Sequence, residues 1–435
     1  MSFFYTSVDV DYNKILFRGY KDGKKIKQKI DYTPTLYVDA KNKTEYKRLD
    51  GNYVSPIVFA SIKEAREFVK KYNGITNYTI YGNTNFQIQF ISDVWNEHID
   101  FDVNDIDIGT FDIEVAIGEE GFPYPDAADQ EILTITYYSS KNKVYNLWGL
   151  KDYSVKDSML DGVKIKFIKC DNEIDLLLKF LDFWQYNMAD ILSGWNIEVF
   201  DIPYLVNRIK KILSDEMAGK LSPWKKIEPR TAYDLNGNAV NIYNIVGIQQ
   251  IDYLIAFKKF AYKYPNQESY TLGNIGFVVL KEDKLDYSEY KGLSELYEKN
   301  YQKFCDYNIK DVQLVVKLEE QLNLFYLICT IAYMAKCNLQ DAFSPVTSWD
   351  SYIFNELRNR NIIIPPKKQN SKDKKIQGAY VKEPINGKYG WIVSFDATSL
   401  YPMLMIQSNM SPETIIDKFS RYTQLKTEAE KRGLM

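Results

Sequence analysis

Ile108-Gly109-Thr110-Phe111-Asp112-Ile113-Glu114-Val115 decides the reading of this chain. Its β-branched and aromatic residues give it strand character. On a strand, residues two apart point to one face, so Asp112 and Glu114 aim two carboxylates into one small volume. Two more acids follow in order: Asp201, in Asn196-Ile197-Glu198-Val199-Phe200-Asp201, and Asp311, in Tyr307-Asn308-Ile309-Lys310-Asp311. Four gathered carboxylates repel one another unless a counter-charge neutralises them. A pair of hard divalent cations, which take oxygen ligands, meets that need. The pattern is that of a two-metal phosphodiester-cleaving site.

Around this stretch the pattern is α/β. Residues 132–137 read as a strand able to pair beside the first. Asn172 caps a helix running to Tyr186, with Ile174, Leu177, Leu178, Leu181 and Trp184 on one face. Residues 191–196 form a short buried strand ending in a turn. Asp201-Ile202-Pro203 then opens a helix, with proline in its first turn. Asp234-Leu235-Asn236-Gly237-Asn238 between β-rich flanks signals a hairpin. Residues 301–323 form a long helix that carries Tyr307 and Asp311 at i and i+4.

Before residue 107 the pattern is strand-rich. Residues 8–11, 15–17, 35–38 and 86–90 read as strands. One amphipathic helix, residues 62–72, is capped by Ser61 and stopped by Gly74. Residues 324–364 continue helical, and Pro365-Pro366 with the polar run after it marks a linker. A strand at 389–396 and a polar helical tail at 423–433 follow.

At 435 residues the chain is too long for one core, so two or three domains are expected. A net charge of −3 is not that of a strongly basic nucleic-acid-binding domain. Local runs are the candidate backbone contacts: Lys24-Lys25-Ile26-Lys27-Gln28-Lys29, otherwise a solvated loop, and Lys367-Lys368 with Lys372, Lys374 and Lys375. The 35 tyrosines, alongside much Ile, Asn and Lys, fit an AT-rich coding sequence better than a base-stacking surface. The single histidine, His98, excludes multi-histidine zinc sites and leaves one base for any Ser-His-Asp arrangement. Cys170, Cys305, Cys329 and Cys337 match neither a zinc pattern nor a disulfide scaffold, which fits a reducing compartment. The start carries no signal-peptide pattern, and no apolar stretch reaches membrane-spanning length. A soluble, cytoplasmic protein with no membrane partner is expected.

With the acidic residues in place, the segment resembles the proofreading 3′–5′ exonuclease domain of family B DNA polymerases, a ribonuclease-H-like fold with four acids and a tyrosine. Gly194-Trp195-Asn196-Ile197-Glu198-Val199-Phe200-Asp201-Ile202-Pro203-Tyr204, Gly121-Phe122-Pro123 and Phe343-Ser344-Pro345-Val346-Thr347-Ser348-Trp349-Asp350 are similar to the T-even bacteriophage branch. The similarity runs from the N-terminus to about Glu413. It implies that Asp112 bridges two Mg²⁺ or Mn²⁺ ions, that Glu114 and Asp311 complete the first site, and that Asp201 holds the second ion. Tyr307 would orient the attacking water. Phe122 would stack on the terminal base, and Asn196 sits on the DNA-binding turn.

Ser394-Phe395-Asp396-Ala397-Thr398-Ser399-Leu400-Tyr401-Pro402 resembles the first polymerase motif of the same family. The resemblance implies that Asp396 is a metal ligand, that Ser399 and Leu400 offer backbone N–H groups to a triphosphate, and that Tyr401 excludes a ribose 2′-hydroxyl. Gly378 and Ala379, in Gln377-Gly378-Ala379-Tyr380-Val381, match a template-contacting motif. The chain departs from the family after Asp396. It has no Asp-Thr-Asp turn and no helix carrying Lys and Asn-x-x-Tyr-Gly; Ala397 and Met403 replace commoner residues.

The expected architecture is an α/β, multidomain chain. A β-rich N-terminal domain (1–106, completed by 325–366) precedes a ribonuclease-H-like exonuclease domain with a mixed sheet (107–324) and a partial palm (367–435). The expected function is that of the N-terminal portion of a phage replicative DNA-directed DNA polymerase, acting on primer-template and single-stranded 3′ ends in the host cytoplasm. Nucleotide incorporation from dNTP would need a second chain carrying the rest of palm, fingers and thumb, as in a split polymerase. The alternatives are a stand-alone 3′–5′ exonuclease and a non-catalytic nucleic-acid-binding remnant.

Overall fold

A computed structural model describes residues 2–118, 121, 123–233, 239–367, 380–411 and 414. Three antiparallel strands come first: β1 (Phe3–Asp11), β2 (Lys14–Lys21) and β3 (Lys24–Asp31). The basic run read as a solvated loop is therefore strand β3. Lys25 reaches Asp190 at 3.0 Å and Lys27 donates to the Pro223 carbonyl at 2.7 Å, so two of its lysines bind the following region.

A second sheet contains β4 (Thr35–Asp39), β5 (Tyr46–Arg48), β6 (Tyr53–Val58) and β7 (Ile80–Tyr81). Helix α1 (Ile62–Tyr72) lies between β6 and β7, and the Ser61 side chain accepts from the Glu64 N–H as its cap. Helix α2 (Phe86–Val94) corrects the expectation of a strand at 86–90. Phe86, Ile88 and Phe90 alternate, but Gln89, Ile91 and Ser92 are buried as well. With six of its nine residues buried, the helix carries no narrow stripe, so period two misleads there. The Asn85 side chain settles it by accepting from the N–H groups of Gln87 and Ile88.

The central sheet joins β8 (Ile108–Val115), β9 (Ile132–Ser139), β10 (Tyr145–Gly149), β11 (Ile165–Lys169), β12 (Ile191–Gly194) and, later, β15 (Gln249–Asp252). Its order is β11-β10-β9-β8-β12-β15. β8, β12 and β15 run parallel to one another, and β9 is antiparallel to β8. Helix α3 (Glu173–Tyr186) has the expected Asn172 cap. Its buried apolar residues are Leu176, Leu177, Phe180, Leu181 and Trp184; Ile174 and Leu178, expected on the same face, are exposed. Helix α4 (Asp201–Ile212) and the short α5 (Asp215–Gly219) follow. Strands β13 (Ile227–Tyr233) and β14 (Ala239–Ile245) pair antiparallel, as a hairpin requires; the turn itself, 234–238, lies outside the described residues.

Beyond β15 come α6 (Tyr253–Phe260), α7 (Leu272–Leu280), α8 (Leu293–Lys299) and α9 (Tyr301–Leu322). The central sheet buries both faces. Phe111, Ile113, Ile135 and Trp148 pack with α3 and α4 on one side. Leu133, Tyr138 and Leu147 pack with α8 and α9 on the other. Since Phe111 and Ile113 face α3 and α4, alternation turns Asp112 and Glu114 towards α9.

After α10 (Leu324–Ala335), a 3₁₀ turn at Leu339–Phe343 and α11 (Pro345–Arg358), strand β16 (Ile362–Ile363) pairs parallel with β5. The stretch expected to stay helical thus returns to the first part of the chain and ends in a strand. Helix α12 (Leu400–Gln407) is the last described element. The strand expected at 389–396 does not form: the segment has no ladder partner among the described residues and is exposed throughout. A single strand leaves its backbone groups unpaired, so the alternating pattern alone cannot hold it. Among the described residues no helix is long and apolar enough to cross a membrane. The four cysteines are buried and unbridged.

Candidate metal centre and active site

Three carboxylates from two elements converge. Asp112 and Glu114 on β8 and Asp311 on α9 each offer an oxygen, and these atoms lie within 4.8 Å of one another. The fourth predicted acid, Asp201, stands beside this trio at the start of α4. Its Oδ1 accepts the backbone N–H of Ile113 at 3.2 Å, which sets it against the strand that bears Asp112 and Glu114.

The delivery of Asp201 rests on local chemistry. Gly194 ends β12 where a Cβ would lie 2.4 Å from the Phe111 carbonyl oxygen, so the two strands approach too closely for any side chain. Asn196 then takes a left-handed φ of +66°, which asparagine tolerates. Asp252, at the end of β15, accepts from the N–H groups of Asn196 and Glu198 at 3.2 and 3.1 Å. It also caps α6 through Leu254 N–H. One carboxylate thereby fixes the turn that leads into Asp201.

Tyr307 and Asp311 share a face of α9, as their spacing predicts. Between them and solvent stands Lys284, whose Nζ lies 2.5 Å from Asp311 Oδ2 and 3.0 Å from the Tyr307 hydroxyl. Glu282 anchors the preceding loop by pairing with Lys310 and Lys317, both at 2.7 Å. Tyr287 packs edge-on against Tyr307 with ring centroids 5.3 Å apart. Neither Lys284 nor Asp252 was legible in advance. Each is a lone charged residue, and what gives it meaning is a partner distant in sequence.

Burial is the first cause of every shift among these acids, and repulsion from neighbouring acids adds to it at Asp112, Glu114 and Asp201. Burial and then the charge of Asp201 hold Asp112 well above the usual carboxylate range. Burial and Asp311 push Glu114 to about 8. Burial takes Asp201 to about 7 against the Ile113 N–H that favours its charge, and Asp252 to about 6. Asp311 is also raised by burial, while Lys284 pulls it back. Burial works against the Lys284 ammonium, but Asp311 outweighs it and the lysine stays charged.

The donor set fits hard divalent cations. It is oxygen-rich, it holds more acid than local cation, and Asp311 Oδ1 is buried with no hydrogen-bond partner among the described residues. An unpaired buried carboxylate oxygen is costly unless something positive meets it.

Asp396, Ser399, Leu400 and Tyr401 are exposed, and Ser399 turns the chain into α12 with a φ of +50°. Asn196 lies on its turn as expected. Phe122, Gly378 and Ala379 lie outside the described residues, as do Lys368, Lys372, Lys374 and Lys375. Lys367 pairs with Asp350. His98 is exposed beside Asp100.

Comparison with known proteins bears on this geometry. The model of the exonuclease domain of DNA polymerase family B matches residues 68–275, and that of DNA polymerase family B matches residues 345–433. The DNA-directed DNA polymerase of Escherichia phage RB69 is 33% identical over 443 residues, covering 96% of this chain and 48% of the relative. That of Enterobacteria phage T4 is 32% identical over 442 residues, with the same coverage. The DNA polymerase delta catalytic subunit of Candida albicans is 28% identical over 329 residues, 72% of this chain and 30% of that protein. The chain spans about half the length of the phage relatives.

Proposed function

Since this chain belongs to DNA polymerase family B, we propose that it removes nucleotides from DNA 3′ ends as the proofreading part of a replicative polymerase. The convergence of Asp112, Glu114 and Asp311 within 4.8 Å, with one Asp311 oxygen unpaired, carries the reading. The central sheet order and its flanking helices support a ribonuclease-H-like domain over 107–324, between an N-terminal domain (1–106 with 325–366) and the start of a palm (367–435).

Asp112, Glu114, Asp201 and Asp311 would hold two Mg²⁺ or Mn²⁺ ions. When bound, the ions supply Lewis-acid neutralisation of the charge that develops on the phosphodiester. Tyr307 holds its hydroxyl at the edge of the cluster, where it can orient a water for attack. Lys284 holds that hydroxyl and favours the ionised form of Asp311 against the effect of burial. The turn at Asn196 leads into the site and would meet the DNA strand.

We assign nucleotide incorporation to a second chain acting with this one. Asp396 would be one of its metal ligands, with Ser399, Leu400 and Tyr401 at the nucleotide. The supporting observation is the exposed apolar run Trp391, Ile392, Val393 and Phe395, followed by Leu400, Met403 and Ile406 on α12. Such a surface is characteristic of a segment awaiting a packing partner.

The test is digestion of a 3′-labelled single-stranded oligonucleotide in Mg²⁺ by the chain and by Asp112→Ala/Glu114→Ala. Laddering from the 3′ end, reduced at least about 10³-fold in the variant, is expected. An unaltered chain that leaves the oligonucleotide intact in Mg²⁺ and Mn²⁺ defeats the proposal. Adding the complementing polymerase chain should restore dNTP incorporation, and failure of the two chains to associate would remove the second-chain assignment.

A further inference from the structure

Asn308 has no part in the roles above, yet it is fully buried beside the acidic cluster. A buried amide must satisfy both its ends. Its Nδ2 lies 2.7 Å from Asp112 Oδ2. Its Oδ1 bonds Thr136 Oγ1. Thr136 stands on β9 directly opposite Asp112 in the strand register, so strand, neighbouring strand and helix all meet at this one amide.

The direction of the chain of bonds is forced. In the ionised form that binds a cation, Asp112 only accepts, so the amide NH₂ faces Asp112, and Oδ1 is left for the Thr136 hydroxyl to donate to. The choice of donor is informative. Asp311 is held by a cation, Lys284, whereas Asp112 is held by a neutral group. A cation on Asp112 would cancel the charge that a metal ion needs. A neutral donor fixes the rotation of the carboxylate and leaves its charge intact.

We propose that Asn308, locked by Thr136, is the positioning residue for Asp112. It occupies one lone pair of Oδ2 and so presents the remaining lone pairs in a single orientation to divalent cations. The inference rests on the two-cation reading given above. It adds that the metal affinity of the site is set by an amide that touches neither metal nor DNA. Partners of this kind commonly change metal affinity or activity by about 10–100-fold when removed.

The experiment titrates Mn²⁺ into the full chain, followed by the electron paramagnetic resonance of free Mn²⁺, for the unaltered protein, Asn308→Ala, Thr136→Val and the double variant. The Asn308→Ala dissociation constant should rise about 10–100-fold. Thr136→Val should raise it less and add nothing in the Asn308→Ala background, because the two residues act in series. The Mg²⁺ concentration that half-saturates oligonucleotide digestion should shift by the same factor, with most of the rate recovered at saturating Mg²⁺. Should the unaltered chain bind no Mn²⁺, the two-cation reading itself fails. If it binds and Asn308→Ala binds equally well, the positioning role is overturned. Additive effects of the two substitutions would break the link from Thr136 through Asn308 to Asp112. Melting in EDTA checks the fold; if Asn308→Ala is unfolded, Thr136→Val decides alone, and an unshifted affinity there overturns the inference.

Discussion

Lys284 shows how one side chain tunes the acidic site. It touches Asp311 and Tyr307 together and lowers the proton affinity of Asp311, which burial raises. Replacing it by methionine keeps the aliphatic stem and deletes the charge. Asp311 then loses its compensation, its pKa climbs, and it is protonated over more of the neutral range. Exonuclease activity of Lys284→Met should fall about 10–100-fold, and the loss should be greater at pH 6.5 than at pH 9. A rate–pH profile of the two proteins checks this; parallel profiles would show that Lys284 does not govern the ionisation of Asp311. A second consequence concerns the metal-free chain. Glu114 and Asp201 have folded values of about 8 and about 7, above ordinary unfolded values of about 4. Raised values mean that the folded state binds more protons than the unfolded one between those limits, so stability falls as pH rises from about 4.5 towards 8. In EDTA the melting temperature should drop between pH 5.5 and pH 8, and Glu114→Gln/Asp201→Asn should flatten that drop. Mg²⁺ should stabilise the unaltered chain more at pH 8 than at pH 5.5. Asp112, Glu114, Tyr307 and Asp311 were legible because strand and helix periods fix which residues share a face. Lys284, Asp252 and Asn308 were not, because each acquires its role from a contact that spans the fold.

At the scale of elements, the close approach of β8 and β12 sets the geometry of the site. Gly194 lies against β8, and an added methyl would lie 2.4 Å from both the Phe111 carbonyl oxygen and Ile197 Cγ2. Gly194→Ala should destabilise the chain by about 1–3 kcal/mol, the usual cost of overpacking. It should also displace the turn that carries Asp201 and lower exonuclease activity more than stability alone explains. Urea unfolding with activity measured at equal folded fraction tests both parts; a variant within about 0.5 kcal/mol of the parent would show that the strands have room to part. Elements with strong periodicity and a cap, such as α3 and α9, could be read ahead. Helix α2 could not, because burial of six of its nine residues blurs the stripe that distinguishes a helix. The stretch at 389–396 has strand periodicity but no neighbour to pair with, and pairing is a property of the whole sheet rather than of the segment.

At the scale of the molecule, a charged lock that no local pattern announces joins the first sheet to the central one. Asp190 is fully buried just before β12. Arg18 meets it at 3.2 Å and Lys25 at 3.0 Å, while the Tyr20 hydroxyl donates at 2.7 Å, all from the first sheet. Arg18 also donates to the carbonyls of Ala189 and Gly247, and Asp190 accepts the Asp107 N–H. The apolar core runs on across the same boundary: Phe4, Tyr5 and Phe17 share a cluster with Tyr253, Phe257, Leu314 and Phe325. The first strands and the central sheet therefore share their stabilising contacts and should unfold as one unit. Asp190→Ala strands Arg18 and Lys25 without their counter-charge, and breaking a buried pair this way costs about 3–5 kcal/mol. The variant should melt well below the parent, and Arg18→Met in the same chain should recover part of the loss by removing the stranded cation. Tryptophan fluorescence and far-UV circular dichroism should follow one coincident transition in the unaltered protein. In Asp190→Ala the weakened boundary should separate them, with the first sheet lost before the central one. Coincident curves in both proteins, with Asp190→Ala less than about 1 kcal/mol below the parent, would mean that the shared apolar core alone joins the two regions and that the lock contributes little.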